Sequence, residues 1–436
     1  MGTEPATGET GSSLEGLARE RYLAGEYPES IATHERAFVA YRAEGDVLSA
    51  ARTARIISWL HVNVFSDFAV AGGWLARAER LLGDSEGAER GWLKLTHATR
   101  EPYGEQREQQ LREAWEFGRS CGDVDLEFAA LARLGETLVL TGRAGEGMLA
   151  FDEALTAICA DEVKDRYVVE SVFCALFLTC ERVHDVARAE QWLRAAGELV
   201  KRHGLVCVGP LCRAHYGGIL TAAGLWNEAE GELDEALRVF AGSYAAARVI
   251  VLIRLAALRL GQGRLEDAER LLDGLDQLPD AAKPLAALHL ARGRTALARD
   301  VLERRLRAPA LPAPWPIGTV TTSPPVVAGP LLALLVDAEL TDGDMAAAAD
   351  VTERLALLVD SDPSTYLQAL LARARGRVGV ASGSRDAVAW FRQALELFAA
   401  AGLPVELART RLDIAKVILD ADPAVAEAEA KAALEV

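Results

Sequence analysis

Apolar residues return three and four positions apart along nearly the whole chain, the period of a helix that buries one face. Between these stretches a short turn recurs, usually Gly-polar-X. A small residue follows three positions later, a large apolar one four after that, and Ala three further on. Gly25-Glu26-Tyr27 leads to Ser30, His34 and Ala37, and Ser66-Asp67-Phe68 to Ala71, Leu75 and Ala78. The pattern sharpens at Gly142-Arg143-Ala144 (Gly147, Phe151, Ala154), His184-Asp185-Val186 (Ala189, Leu193, Ala196) and Gly224-Leu225-Trp226 (Ala229, Leu233, Ala236). Further copies start at Gly263, Gly293, Gly343 and Ser382.

Each copy predicts a helical hairpin. Gly or a short polar residue ends the first helix, the small residue lets the second helix come close, and the large apolar residue fills the gap a turn later. One hairpin cannot bury both of its apolar stripes, so hairpins must stack. Successive turns lie 41 residues apart from Tyr27 to Phe68 and 42 from Ala144 to Val186, longer than the roughly 34 of a minimal tetratricopeptide unit. The expected fold is therefore all-α, a superhelical solenoid of about ten or eleven TPR-like hairpins, weakest around Ala88 to Cys121 and at the C-terminus. Residues 1–12 read as a disordered tail and 13–307 as the main array. Residues 308–330, holding seven of the 16 prolines, read as a linker or loop with Trp315 tucked in. Residues 331–436 read as further repeats that stop at Val436 with an unfinished apolar stripe, so the array is expected to be truncated.

Composition narrows the function. Sixty-four acidic residues against 47 basic ones leave a net charge of −17, and no block of Lys/Arg offers a duplex-binding surface. The N-terminus lacks the basic and apolar segments of a secretory signal. The richest apolar run, Val249 to Leu258, is too short to span a bilayer and carries Arg254. A cytoplasmic protein is expected, with no membrane partner. Cys121, Cys159, Cys174, Cys180, Cys207 and Cys212 show no paired spacing and read as reduced, mostly buried thiols.

Several segments carry a family resemblance: LARERYLAGEYPESIATHERAFVAYRAEGD from Leu17, GGWLARAERLL from Gly72, LEFAALARLGETLV from Leu126, EGMLAFDEAL from Glu146, HDVARAEQWL from His184, CRAHYGGILTAAGLWNEAE from Cys212 and KPLAALHLARG from Lys283. Together they resemble the tetratricopeptide-like, MalT-like helical region of actinobacterial LuxR-type transcriptional regulators. The resemblance spans nearly all of Leu14 to Val436. It implies a region that receives the regulatory signal, with DNA bound only through a C-terminal helix-turn-helix domain that this sequence does not contain. The GxxxxGK phosphate loop of larger members is also missing.

Candidate chemistry concentrates on the first helices of the middle repeats. Glu136, Glu170 and Glu181 fall where a first helix would face the concave wall, with Arg166, Arg182, Arg213, Tyr167, Cys174, His215 and Tyr216 around them. Such a wall suits a small-molecule effector or a protein or peptide tail, and equally a solvated groove. Trp59, His61 and Asn63 form a second cluster. Cys180, His184, Cys212 and His215 lie on neighbouring first helices in a spacing that permits a tetrahedral zinc, yet the tight CxxC knuckle is absent. Buried or groove-lining side chains are the simpler account, and no metal, cofactor or catalytic residue is expected. A thiolate pair among the same residues lacks an identifiable orienting carboxylate. Trp74, Trp92, Trp115, Trp192, Trp226 and Trp390 read as core packing, and Gly72-Gly73 and Gly217-Gly218 as close helix contacts. Three roles follow in order of support: a regulatory sensor binding an effector or partner in its groove, a passive protein-binding scaffold, and an enzyme built around the Cys/His set.

Overall fold

A computed structural model describes residues 9–435 apart from 66, 86, 204–209, 241–244 and 308–323. The described residues form helices and no strand. They pair in order as α1 (Gly11–Leu23) with α2 (Tyr27–Glu44), α3 (Val47–Leu60) with α4 (Phe68–Leu82), α5 (Ala88–Ala98) with α6 (Glu105–Cys121), and α7 (Val124–Leu140) with α8 (Ala144–Cys159). Next come α9 (Arg166–Val183) with α10 (Val186–His203), α11 (Pro210–Ala222) with α12 (Trp226–Phe240), α13 (Ala245–Gly261) with α14 (Leu265–Leu272), and α15 (Ala282–Ala291) with α16 (Thr295–Arg307). The array ends with α17 (Pro325–Asp342) and α18 (Met345–Ser361), α19 (Thr365–Ala381) and α20 (Ala387–Ala400), and α21 (Pro404–Ile418) and α22 (Pro423–Leu434). This is the TPR-like helical solenoid expected, with eleven hairpins among the described residues.

Local chemistry explains the hairpins. Asp46, Asp123 and Asp344 each accept a hydrogen bond from the backbone N–H three residues on, capping α3, α7 and α18. A Cβ on Gly147 would run into the Gly135 carbonyl oxygen, so glycine at this repeat position sets how closely α8 approaches α7. Gly217 likewise leaves room for Leu233, whereas a Cβ on Gly72 or Gly73 meets no described atom within 4 Å, so that pair is no close contact. The six tryptophans expected in the core are each half-buried.

Two boundaries differ from expectation. Helix α1 begins at Gly11, capped by Thr10, so the expected tail loses its last two residues to the array. Helix α17 begins at Pro325, so 325–330 are helical and not linker. Pro325 takes the first helical position, where its missing N–H has no partner to lose, and Pro330 is carried inside the helix. Trp315, Cys207 and Ser66 lie outside the described residues.

The larger correction concerns the concave wall. It is filled by the chain itself. Tyr22, Tyr27, Ile31, Ile56, Leu60 and Val64 from the first two hairpins share one apolar cluster with Ala214, Leu220, Val251 and Leu255 of α11 and α13. From the other side, Val326 of α17 packs with Leu140 and Val183. Helix α9 runs between the two closures. Nearly every residue from Val168 to Cys180 is buried, as expected of a helix enclosed on all sides.

Candidate ligand-binding seam

The amino end of α9 is fixed before it meets anything. Asp165 accepts from the Tyr167 N–H at 2.8 Å, and Asp125 accepts from the N–H groups of Lys164 and Asp165 at 2.7 and 3.1 Å. Spacings of three, four and seven residues then place Tyr167, Glu170, Cys174 and Glu181 along one side of the helix.

Against this side the first two hairpins lay an aromatic cluster. Tyr22 packs edge-on to Tyr167 at 4.7 Å between ring centroids, Trp59 lies 5.7 Å from Tyr167 and 6.1 Å from Tyr22. The Tyr22 hydroxyl hydrogen-bonds Glu170. Arg19 stands over the Tyr167 ring at 5.9 Å and pairs with Glu15 at 3.1 Å and Asp165 at 3.7 Å. A π-helical turn, His61–Phe65, continues α3 here and touches α13. The two clusters expected separately, around Trp59 and around Tyr167, therefore meet in one seam.

One turn deeper sits a second layer. Cys174 lies beside Cys212 and His215, and Cys212 Sγ is 4.0 Å from the Glu170 carbonyl oxygen. The His215 Nδ1 is 2.8 Å from Glu181 Oε2, and Arg254 Nη2 donates to the same oxygen at 2.6 Å. Gly218 makes this possible, because a Cβ there would occupy the space of the Glu181 carboxylate. His215 is 0% exposed and Arg254 7%.

These surroundings set the protonation states. Burial pushes the Glu170 carboxyl up, Cys174 adds to the rise, and the Tyr22 hydrogen bond only partly offsets it, leaving the group at about 7. Burial acts on Glu181 in the same direction, but Arg254 and His215 outweigh it and hold that carboxylate well below its usual range. A hydrogen bond from Cys212 lowers the Cys174 thiol against the opposing effect of burial, with His215 assisting. Burial and Arg254 lower His215, while Cys174 and Glu181 raise it to a net increase. Burial holds His34 down at about 4 and therefore neutral.

The seam also gathers polar atoms left over. Among the described residues, the Tyr167 hydroxyl, His34 Nε2, Asn63 Oδ1 and Arg254 Nε are buried without a hydrogen-bond partner. Each such group costs free energy unless something completes it.

Of the residues expected to line the groove, Tyr167, Glu170, Cys174, Glu181 and His215 come together here. The others do not. Glu136 is 2% exposed and takes hydrogen bonds from the Tyr103 hydroxyl at 2.7 Å and Arg133 at 3.0 Å, with Arg107 at 3.5 Å. Arg182 pairs with Asp280 at 3.0 Å, Arg213 with Glu232 on α12 at 2.7 Å, and Tyr216 packs on Phe177 at 5.9 Å. Arg166 is exposed. The four proposed zinc ligands also keep separate company: His184 lies on Tyr366 at 4.3 Å, Cys180 is influenced by Asp185 and Arg188, and only Cys212 and His215 share a site. No group of three or more His, Cys, Asp or Glu side chains placed to hold a metal ion occurs among the described residues.

Two partners had escaped notice in the sequence. Tyr22 sat unmarked in a repeat segment. Arg254 was visible as a lone charge within the Val249 to Leu258 run, and a single arginine in an apolar helix signals a buried carboxylate elsewhere. Glu181 supplies the carboxylate that the thiolate-pair idea lacked, giving a thiol–imidazole–carboxylate order with Arg254 sharing the same carboxylate oxygen.

The sequence matches no protein-family model and no curated protein. Among solved structures it is similar to yeast Tom70, at 11% identity over 96% of this chain and 98% of that one, with a TM-score of 0.44. It is also similar to the human IFIT1 dimer with m7Gppp-AAAA (17%, 80% and 77%, TM-score 0.37) and to the APC/C hetero-tetramer Cut9-Hcn1 (14%, 98% and 96%, TM-score 0.41). These likenesses describe shape. No helix among the described residues is long and apolar enough to cross a membrane.

Proposed function

We propose that this chain is a sensing module, a closed helical solenoid that takes a small polar effector into the seam between its first two hairpins and α9, α11 and α13. The observation that carries this is the convergence of unpartnered buried polar atoms, among them His34 Nε2 on a ring 0% exposed and the Tyr167 hydroxyl, on a junction between sequence-distant repeats. A ligand seated there bonds both sides at once. It favours the closed solenoid over any arrangement in which the first hairpins part from the middle ones, and this differential affinity is what lets a bound molecule shift an equilibrium. The resemblance to LuxR-type regulators supplies the output: occupancy of the seam read by a helix-turn-helix domain.

The competing role is a passive protein scaffold, favoured by Leu149 and Leu357, which stand 69% and 70% exposed on the outer helices α8 and α18. Thermal unfolding against a metabolite library separates the two. A seam ligand raises the melting temperature by mass action, and His215→Ala abolishes that rise while the variant keeps its helical circular dichroism. If no small molecule stabilises the protein and a partner chain binds through Leu149 and Leu357, the sensing function is wrong.

A further inference from the structure

We propose that the seam ligand is an organic cation, an ammonium or guanidinium compound whose charge is received by Glu170 and the rings of Tyr22, Trp59 and Tyr167. The inference rests on the sensing role just stated and adds the chemistry of its ligand.

Five glutamates packed inside the solenoid each hold an arginine. Glu15 holds Arg52 and Arg19, Glu136 holds Arg107 and Arg133, Glu181 holds Arg254, Glu339 holds Arg299, and Glu406 holds Arg373. Glu170 does not, and unlike Asp125, which accepts two backbone N–H groups, it faces side chains. Its neighbours are the Tyr22 hydroxyl and the Cys174 thiol, and among the described residues no arginine or lysine pairs with it. Three nearby cations are already engaged, Arg19 with Glu15 and Asp165, Arg133 with Glu136 and Ser171, Arg254 with Glu181, and Arg166, one turn earlier on α9, is exposed.

The groups facing Glu170 from the surrounding helices favour a positive guest. Tyr22 of α1, Trp59 of α3 and Tyr167 of α9 gather three rings here, an aromatic face attracts a cation by about 0.5 to 2 kcal/mol, and Arg19 already stands over the Tyr167 ring at 5.9 Å. His34 of α2 is neutral, Cys174 of α9 is drawn toward its thiolate by Cys212, and His215 of α11 is held against Glu181. Fully buried His34 spends its Nδ1 on the Ser30 carbonyl at 3.0 Å, which leaves Nε2 unpartnered on the edge away from its own backbone, with its ring 6.5 Å from Tyr167. That nitrogen is a ready acceptor for an ammonium or guanidinium N–H. The net charge of −17 draws cations toward the protein from a distance.

A cation entering the seam must find Glu170 ionised, so binding below neutrality expels one proton. The test is isothermal titration of the full chain with choline, putrescine and agmatine, beside the uncharged 3,3-dimethyl-1-butanol and 1,4-butanediol. At least one cationic probe is expected to bind and raise the melting temperature, with its neutral counterpart silent. Its affinity is expected to fall about tenfold per pH unit below 7, with proton release seen as a buffer-dependent heat. Glu170→Gln weakens it at least tenfold, as does Trp59→Leu, which leaves the carboxyl in place. Equal binding of charged and neutral probes, an unaffected Glu170→Gln, or silence of all three cations overturns the proposal. If the cations are silent while an uncharged metabolite still stabilises the protein in a His215-dependent way, the sensing role stands and only the ligand chemistry falls.

Discussion

At its amino end α9 receives the first two hairpins through aromatic rings and a carboxyl that has no cation; at its carboxyl end it receives the last ones through ion pairs and a ring contact. There His184 lies against Tyr366 at 4.3 Å and Arg182 pairs with Asp280. Close by, Glu406 is gripped by Arg373 and Arg409, with Lys283 adding its charge. Both junctions close the same solenoid, and both leave some buried polar atoms without a partner. At the far junction the strong charges Arg182 and Glu406 have found opposites, although His184 Nδ1 stays without a hydrogen-bond partner; the amino-end seam is set apart by a carboxyl that lies among three aromatic rings with no cation paired to it.

The sharpest way to break this comparison is the same substitution at both ends. Glu406→Gln leaves Arg373, Arg409 and Lys283 without their anion and is expected to cost about 3 kcal/mol, as breaking a buried pair does. Chemical denaturation at pH 7 measures it. The sign follows from the carboxyl, which these cations hold below its usual range against the effect of burial. Its contribution is present above the unfolded value near 4.5 and is lost as pH falls through the folded one.

Acid probes both ends at once. His34 beside the seam and His184 at the far junction are held neutral, at about 4 and about 3, chiefly by burial. The unfolded chain takes up protons on these rings near 6.5 and the folded one does not, so stability falls as pH drops from 6.5 toward 4. The loss is expected to reach about 2 kcal/mol for each ring. Denaturation midpoints across that range, compared with those of His34→Gln, show whether the slope is halved.

How much of this was legible depends on distance along the chain. The turns at Gly25, Gly142, Gly224 and Gly343 were visible because a glycine at positive φ beside a helix end is a local requirement. The α5–α6 connection was not, because it runs from Thr99 to Gly104 without the Gly-polar-X signature. Tyr167, Glu170, Cys174 and His215 could be placed on inward faces from periodicity. That Tyr22 and Trp59 would lie on them could not, since it depends on how far the superhelix curls before its ends meet its middle, a sum of small rotations that no single repeat encodes. For the same reason Glu136 and Arg182 looked like groove residues and are ion-paired inside the solenoid.

Glu170→Gln at the seam is expected to have the opposite sign to its far-end counterpart. The folded carboxyl sits at about 7 because burial disfavours its charge, so above neutrality the native state pays to ionise it. Removing the charge should stabilise the free protein by about 1 kcal/mol at pH 8, discounted for partial exposure. The gain should shrink as pH falls from 7 and vanish below about 4.5, where the unfolded carboxyl is protonated as well. Melting curves of the two proteins across this pH range decide it, and a loss at pH 8 would mean that Glu170 has a cation after all.

The smallest effect tests whether the far junction carries any local strain of its own. His184 ends α9 at φ 59, left-handed backbone that glycine occupies at Gly142 and Gly224 in the flanking repeats. A non-glycine residue there costs about 1 kcal/mol, and its ring recovers a similar amount from Tyr366. His184→Gly should therefore change stability by less than about 0.5 kcal/mol, because relief and lost packing nearly cancel. Tyr366→Leu removes the ring contact but leaves the backbone cost and should destabilise by about 1 kcal/mol. In the double variant the cost of Tyr366→Leu should shrink, since glycine at 184 has no ring contact left to lose. Equal costs in both backgrounds would mean the two rings touch without stabilising each other, and the junction would then be held by its ion pairs alone.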